Sequence, residues 1–449
     1  MQANLTTSSS LTDTNHQVSF FSLVNRLLFQ SAFFTVPFLF VWFFLLYTEI
    51  PLSLGGSKFI PSVGFFILMP FVLPTIFAHI KLHHLLFIVV TTLLAIITLA
   101  VKFDARLISS SIIKILQLIY SLCIFVTTYL LLVNLPFVVV KQAIGGFLLF
   151  IIIGTILERL DITASLSQAF RTLYSDTLYG AEIDSQREIN VAGFVRPYVF
   201  TSEPSFVGLG FFVFSSAYFF LVRNIITDLL ILFSIFLMLV LLGSPTVAFG
   251  LLLLLPSLLL KTNLSPKKLT ALIGTLIVVL GIFFSVGAAG NVFTTIAERI
   301  TEELFDEASS IYVRVIVPYG ITLPQVFSEY PLWGVGFGNY GYINLLFGYP
   351  FDYLEQDSVF IQGANGFVTL IVYFGIIGTS FLFSLLVAFT RYNKIKYPVL
   401  CILYIVIMSQ ILGGISTPRY WGFIAVFFAA VTWFGRNKLQ TNKVINEGA

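Results

Sequence analysis

Apolar runs long enough to cross a bilayer recur about twelve times along this chain, and that repetition limits the folds open to it. A helix of roughly 20 apolar residues satisfies its own backbone, so a chain dominated by such runs takes lipid as its solvent. The composition agrees: 58% of the 449 residues are hydrophobic and 10% are charged, too few polar groups to coat a soluble domain. The runs lie near 27–47, 60–80, 84–101, 112–133, 135–157, 206–222, 226–243, 246–260, 268–288, 365–390, 397–413 and 418–435. They predict an all-α polytopic membrane protein of about 12 transmembrane helices, a single integral membrane domain over residues 1–449. Turns or kinks are expected at Asn134–Pro136 and Gly243–Pro245.

Several function classes fall away. The net charge is +3 and no basic patch offers a nucleic-acid surface. Cys123 and Cys401 both lie within apolar runs, giving neither a disulfide framework nor a metal site. The first fifteen or so residues lack a basic stretch followed by a short apolar core, and read as a tail, not a signal peptide. No glycine-rich phosphate loop stands at a strand-to-helix junction, which argues against an ATPase or a dinucleotide enzyme. His16, His79, His83 and His84 fall in the tail or at the expected cytoplasmic face; the adjacent pair at 83–84 points to different helix faces.

Lysine and arginine near the span ends set the expected orientation. Lys261, Lys267 and Lys268 share one loop, Arg391, Lys394 and Lys396 another, and Arg436, Lys438 and Lys443 the tail. With twelve spans these fall on one side with Lys81 and Arg223, and both termini are expected in the cytoplasm. Lys102 and Arg106 dissent, with Asp104 between them. Two long polar segments, 158–205 and 289–364, then face outward, the larger before the tenth span. They hold most of the chain's 21 acids, and every base in them is an arginine: Arg159, Arg171, Arg187, Arg196, Arg299 and Arg314. Arginine binds diphosphate bidentately and keeps its charge. Val292, Ile296, Ile300 and Leu304 recur every four residues, which predicts an amphipathic helix on the bilayer surface or on its own loop. A weaker pattern of the same kind covers Leu160–Tyr174.

Without an outward histidine, acid–base chemistry there rests on carboxylates and arginines. Glu203 is the candidate base, placed where chain leaves water for lipid; the alternative is a helix-start acid favoured by the macrodipole, ahead of Pro204. Arg196, Arg314 and Arg419 are candidate anion clamps, each with interfacial snorkelling as its plainer reading. Asp352, Glu355 and Asp357 fit a solvated loop better than a cation site. The glycines of GVGFGNYG (334–341) either bring backbone close to a sugar or phosphate or simply turn the chain.

VRPYVFTSEPSFVG (195–208), GSPTVAFG (243–250), YVRVIVPYGITLPQVFSEYPLWGVGFGNYG (312–341) and GANGFVTLIVYFGIIG (363–378) occur in that order. Together they resemble the O-antigen polymerase and ligase superfamily, most closely Wzy-type polymerases of bacterial surface polysaccharide. The motifs span roughly 190–380, and the topology extends the likeness to the whole chain. The resemblance implies a metal-independent glycosyltransferase without cofactor in the bacterial inner membrane. Its donor and acceptor would be oligosaccharides on undecaprenyl diphosphate, with room for a chain-length regulator as partner. Carried over by position, Arg196 and Arg314 resemble the arginines that hold the diphosphate, and Glu203 the acid of the polymerases' EPS segment. Arg419 is a looser match to a diphosphate ligand. Gly336, Gly338, Asn339 and Asn365 fall where glycan or backbone contacts are expected. Ligases carry His-Asn before the following helix; here the pair reads Ala364-Asn365, which favours the polymerase.

Two rivals remain on the sequence: a ligase moving finished glycan onto lipid A–core, and a lipid-linked oligosaccharide flippase. A flippase is expected to carry ionisable residues at mid-span and an internal repeat, whereas here charge gathers in the expected outer loops.

Overall fold

The computed structural model describes residues 31–54, 58–101, 108–174, 195–222, 224–244, 246–247, 312–339 and 365–447. Every expected apolar run that falls on these residues is a helix. In chain order they are α1 (Ala32–Thr48), α2 (Gly64–His79), α3 (Leu82–Val101), α4 (Ile108–Asn134) and α5 (Phe137–Arg159). Then follow α6 (Ala164–Arg171), α7 (Pro204–Leu221), α8 (Ile225–Leu242), α9 (Leu323–Glu329), α10 (Gly366–Tyr392), α11 (Pro398–Ile411) and α12 (Pro418–Glu447). The run at 246–260 beyond its first two residues, the run at 268–288, the amphipathic pattern at 292–304 and the acids at 352–357 lie outside the described residues.

Among the described residues, five helices are long and apolar enough to cross a membrane: Leu82–Val101, Ser111–Asn134, Phe137–Arg159, Pro204–Leu221 and Gly366–Tyr392. Shorter apolar helices cover Ala32–Thr48, Gly64–His79, Ile226–Leu242 and Pro398–Ile411. Their outward faces carry exposed Phe66, Phe77, Leu93, Leu116, Leu149, Phe233 and Val399, which only lipid covers without cost. The chain is a helical, multi-pass membrane protein.

The span expected from residue 60 starts later, at Gly64. Residues 51–54 and 58–61 instead pair as an antiparallel hairpin, with Pro51 opposite Pro61 and Leu54 opposite Lys58. The expected break at Asn134–Pro136 is real: α4 ends at Asn134 and α5 starts after Pro136, whose fixed φ suits a helix start. At 243–245 the turn is made by Gly243 in the left-handed region (φ 53), capping α8 with its N–H on Leu239 O.

Helices alternate in direction, so their ends gather at two poles. At one pole His84 Nε2 meets Asn393 Oδ1 (2.9 Å), Trp433 Nε1 donates to Leu132 O and Arg436 to Val133 O (3.0 Å each). At the other pole α1, α3, α5, α8 and α11 end, and α2, α4, α7, α10 and α12 begin. The centre is α12, which lies along α4 and α7 with Phe423–Val431 fully enclosed. Tyr404 of α11 stacks on Phe427 of α12 at 3.8 Å between centroids, and Trp42 Nε1 reaches Thr128 Oγ1 (3.0 Å), satisfying its donor in the core.

One helix is interrupted. Gly375 in α10 has φ 63 and ψ −172, and the N–H groups of Ile376 and Ile377 turn to Pro331 O (2.9 Å) and Leu332 O (3.1 Å). Val335 N donates in return to Val372 O (2.8 Å). Residues 330–339 therefore dock into the gap, and irregular backbone there is tolerated because protein supplies its partners.

Candidate functional site

The segment 195–203 leads into α7 through a turn whose two corner residues, Val199 (φ 41) and Phe200 (φ 66), sit in the left-handed region. A β-branched residue there is strained, so the surroundings must hold it. Glu158, at the end of α5, takes both Tyr198 N (3.0 Å) and Val199 N (2.7 Å) on its two carboxylate oxygens. Ser167 Oγ of α6 accepts from Phe200 N (3.3 Å). Thr201 Oγ1 lies 2.6 Å from Tyr198 O and 2.8 Å from Glu203 O, closing the turn from inside. The Arg171 guanidinium lies 3.6 Å above the Tyr198 ring, a cation–π contact worth about 0.5–2 kcal/mol. Thus the weaker amphipathic pattern at 160–174 is in part a short helix, α6, and its polar face grips the segment that carries the candidate base.

Glu203 is the residue before α7, with extended backbone (φ −141) and Pro204 in the first helical turn. Its carboxylate does not cap the helix; it accepts from Ser205 Oγ at 2.8 Å and remains partly exposed. Arg196 is likewise partly exposed, at the start of the same segment. A turn deeper in α7, Gly208 faces Ser244, Thr246 and Val247; an added Cβ would come within 3.2 Å of Val247. The end of α8 therefore packs on the first turns of α7.

Arg419 belongs to the same pole and is almost completely enclosed. Its Nη2 donates to Thr48 O (3.0 Å), its Nε lies 3.6 Å from Glu49 Oε2, and its backbone N donates to Glu49 Oε1 (3.2 Å). Its guanidinium stacks 3.9 Å over Phe206, three residues beyond Glu203. Thr48 O ends α1, where a cation is favoured by the helix dipole. That carbonyl also accepts from Tyr174 OH (2.7 Å), whose second neighbour is Phe200 O (3.1 Å). Burial raises the Tyr174 pKa well above its ordinary value, with the nearby Arg419 charge opposing, so the phenol stays a donor at physiological pH. The loop before Arg419 is pinned by Ser121 Oγ on Ser416 O (2.7 Å) and Trp421 Nε1 on Ile415 O (2.7 Å).

Arg314 lies in the first turn of a π-helix, Tyr312–Thr322. Tyr319 OH of that helix donates to Gln410 Oε1 (2.6 Å), which also takes Asn365 Nδ2 (2.8 Å). Asn365 Oδ1 caps α10 by accepting from Val368 N (3.1 Å), so this side chain is occupied as a helix cap and tie. Ala364 lies outside the described residues.

The glycine run makes close backbone approaches. Gly334, Gly336 and Gly338 have φ of 67, 90 and 86; an added Cβ would meet Val372 O at 2.3 Å, Thr98 O at 2.7 Å and Ser111 at 2.8 Å. Asn339 is buried, its Oδ1 accepting from Ser111 Oγ (3.0 Å) and its Nδ2 donating to Val335 O (3.1 Å). Gly336 and Gly338 are thus set by packing against α3 and α4.

Glu203, Arg419, Ser244, Thr246 and Val247 are in one contiguous cluster, with Arg196 on the segment that enters it. The 312–339 stretch and Asn365 join the same pole through α10 and α11. Sequence reasoning did not single out Glu49, Glu158, Tyr174 or Lys114, and took Arg171 only as one of six arginines in the outer segments. Lys114 gave a signal as a cation inside an expected span; Glu49 and Glu158 read as ordinary ends of apolar runs, and Tyr174 as the end of the weaker amphipathic pattern. Comparison with known proteins finds no matching family model and no matching curated protein.

Proposed function

We propose that this chain polymerises lipid-linked oligosaccharide repeat units into a surface polysaccharide, as a metal-independent glycosyltransferase. In this reading about twelve spans cross a bacterial inner membrane with both termini inside, and the pole bearing Glu203 faces outward. The observation that carries the reading is convergence. Four stretches that resemble the polymerase family, each a weak signal alone, lie far apart in sequence and meet at one pole of the bundle. Described parts of all four are 195–208, 243–244 with 246–247, 312–339 and 365–378.

The chemistry follows from residue types. Glu203, held by Ser205 and left partly exposed, accepts the proton of an acceptor sugar hydroxyl. The hydroxyl oxygen attacks the anomeric carbon of the donor glycan, and the bond from that carbon to the lipid diphosphate breaks. Arg196 and Arg314 offset the charge developing on the departing diphosphate, the role a metal ion fills elsewhere. Arg419, already engaged by Glu49 and Thr48, orients the start of α7 through Phe206. The test is polymer length on purified lipid-linked repeat units. Glu203→Gln, Arg196→Lys and Arg314→Lys should each cut turnover about a hundredfold or more, the cost of one transition-state contact of roughly 2–4 kcal/mol. Polymer of normal length from all three variants would remove these residues from the reaction. A deletion strain whose single repeat unit fails to reach its final acceptor would favour the ligase.

A further inference from the structure

Where residues 334–339 pass α3, α4 and the break in α10, several buried hydrogen-bond donors have no acceptor among the described residues. Lys114 is 7% exposed, and its ammonium makes one hydrogen bond, 3.1 Å to Gly338 O. An ammonium carries three donors, and no carboxylate among the described residues pairs with this one. The neighbouring N–H groups of Gly336, Phe337 and Gly338 are buried and find no acceptor among the described residues. The N–H groups on either side are engaged, Val335 on Val372 O and Asn339 on Gly336 O (3.1 Å). The bond from Asn339 N to Gly336 O, with Gly338 at φ 86, closes a turn that Ser111 fixes through the Asn339 side chain.

We propose that Lys114 Nζ and the N–H groups of Gly336, Phe337 and Gly338 form an anion subsite that takes a phosphoryl group. Consecutive backbone N–H groups in glycine-rich turns form anion-binding concavities, and a buried cation beside them supplies the charge. A phosphoryl group brings three terminal oxygens and up to two negative charges to these four donors, against two oxygens and one charge for a carboxylate. Gly336 and Gly338 are required here because a Cβ on either would strike α3 or α4. The ligand chemistry is shared by a phospholipid headgroup and by a soluble phosphate or diphosphate. The inference stands independently of the glycosyltransferase reading, since it concerns binding and not transfer.

The full-length chain, purified in a phosphate-free maltoside detergent and chloride buffer, is titrated with inorganic diphosphate while thermal unfolding is followed. A parallel titration uses dihexanoylphosphatidylglycerol, with the corresponding phosphate-free diacylglycerol as control. Saturable stabilisation by diphosphate identifies a soluble anion, and stabilisation by the phospholipid alone identifies a headgroup. Lys114→Met should weaken the effective probe tenfold or more, while its unliganded unfolding temperature stays near or above that of the wild type, because a buried charge is removed. On the wild type itself, the bound probe should protect Lys114 from amine acylation, read by peptide mass spectrometry; this requires no substitution to fold. Absence of saturable stabilisation by both probes overturns the proposal. So does equal affinity in Lys114→Met, or unchanged acylation of Lys114 in the presence of a probe that binds.

Discussion

The ion pair between Glu49 and Arg419 offers the sharpest test of how this pole is built. The two side chains are 13% and 3% exposed, and the guanidinium Nε lies 3.6 Å from Glu49 Oε2. Glu49→Gln keeps the volume and an acceptor for Arg419 N but deletes the counter-charge. Removing one partner of a buried pair costs about 3–5 kcal/mol, because the other charge stays buried and uncompensated. The retained bond to Thr48 O and the stack on Phe206 place the expected loss near the lower end, about 3 kcal/mol. Arg419→Met removes the other charge. If the pair is coupled, the double variant is less destabilised than the two single losses summed, by about 1–3 kcal/mol. Thermal and denaturant unfolding of the four proteins in one detergent gives the cycle. Wild-type stability for Glu49→Gln would refute the reasoning. The same series separates architecture from substrate binding. If Arg419 orients α7, turnover falls with stability across the series. If Arg419 holds diphosphate directly, Glu49→Gln frees its charge and turnover is kept or raised while stability drops.

Three further outcomes follow from the geometry. Glu158→Gln loses one of two N–H acceptors and turns an amide donor toward the other, so the strained turn at Val199–Phe200 should lose about 1–3 kcal/mol and become open to limited proteolysis near residue 199. Gly375→Ala should abolish folded protein on size-exclusion chromatography, because its Cβ would lie 2.2 Å from Leu332 O at a φ of 63. Single cysteines at Ser185 and Ser309, in a background lacking Cys123 and Cys401, should react with an impermeant thiol reagent from outside intact cells; reaction only after lysis would reverse the proposed orientation.

The helical frame was legible because lipid imposes one strong rule on every span. Length and hydropathy placed α3, α4, α5, α7 and α10 to within a few residues, and Pro136 and Gly243 marked their turns by backbone chemistry alone. The hairpin at 51–61 escaped notice because Leu52, Leu54, Phe59 and Ile60 are apolar enough to merge with the run that follows. The break at Gly375 was hidden for a similar reason. A glycine inside an apolar helix gives no sign of whether its neighbours' N–H groups bond within the helix or to carbonyls at Pro331 and Leu332.

The candidate site was legible only as residue types near a boundary, and the structure sorts those types by their partners. Glu203 and Arg419 were both singled out as charges at the edge of lipid, yet they differ in what already satisfies them. Arg419 meets a carboxylate and a helix-end carbonyl some 370 residues earlier in the chain, and no local pattern reports a partner so distant. Glu203 accepts from the Ser205 hydroxyl and keeps an exposed face, as a proton acceptor must. Glu158 shows the converse. Its place at the end of an apolar run suits a solvated helix-end acid, whereas both its oxygens are committed to backbone N–H groups. Three charges from similar sequence settings thus divide into a tie, a brace and a partly exposed carboxylate, a division set by tertiary surroundings.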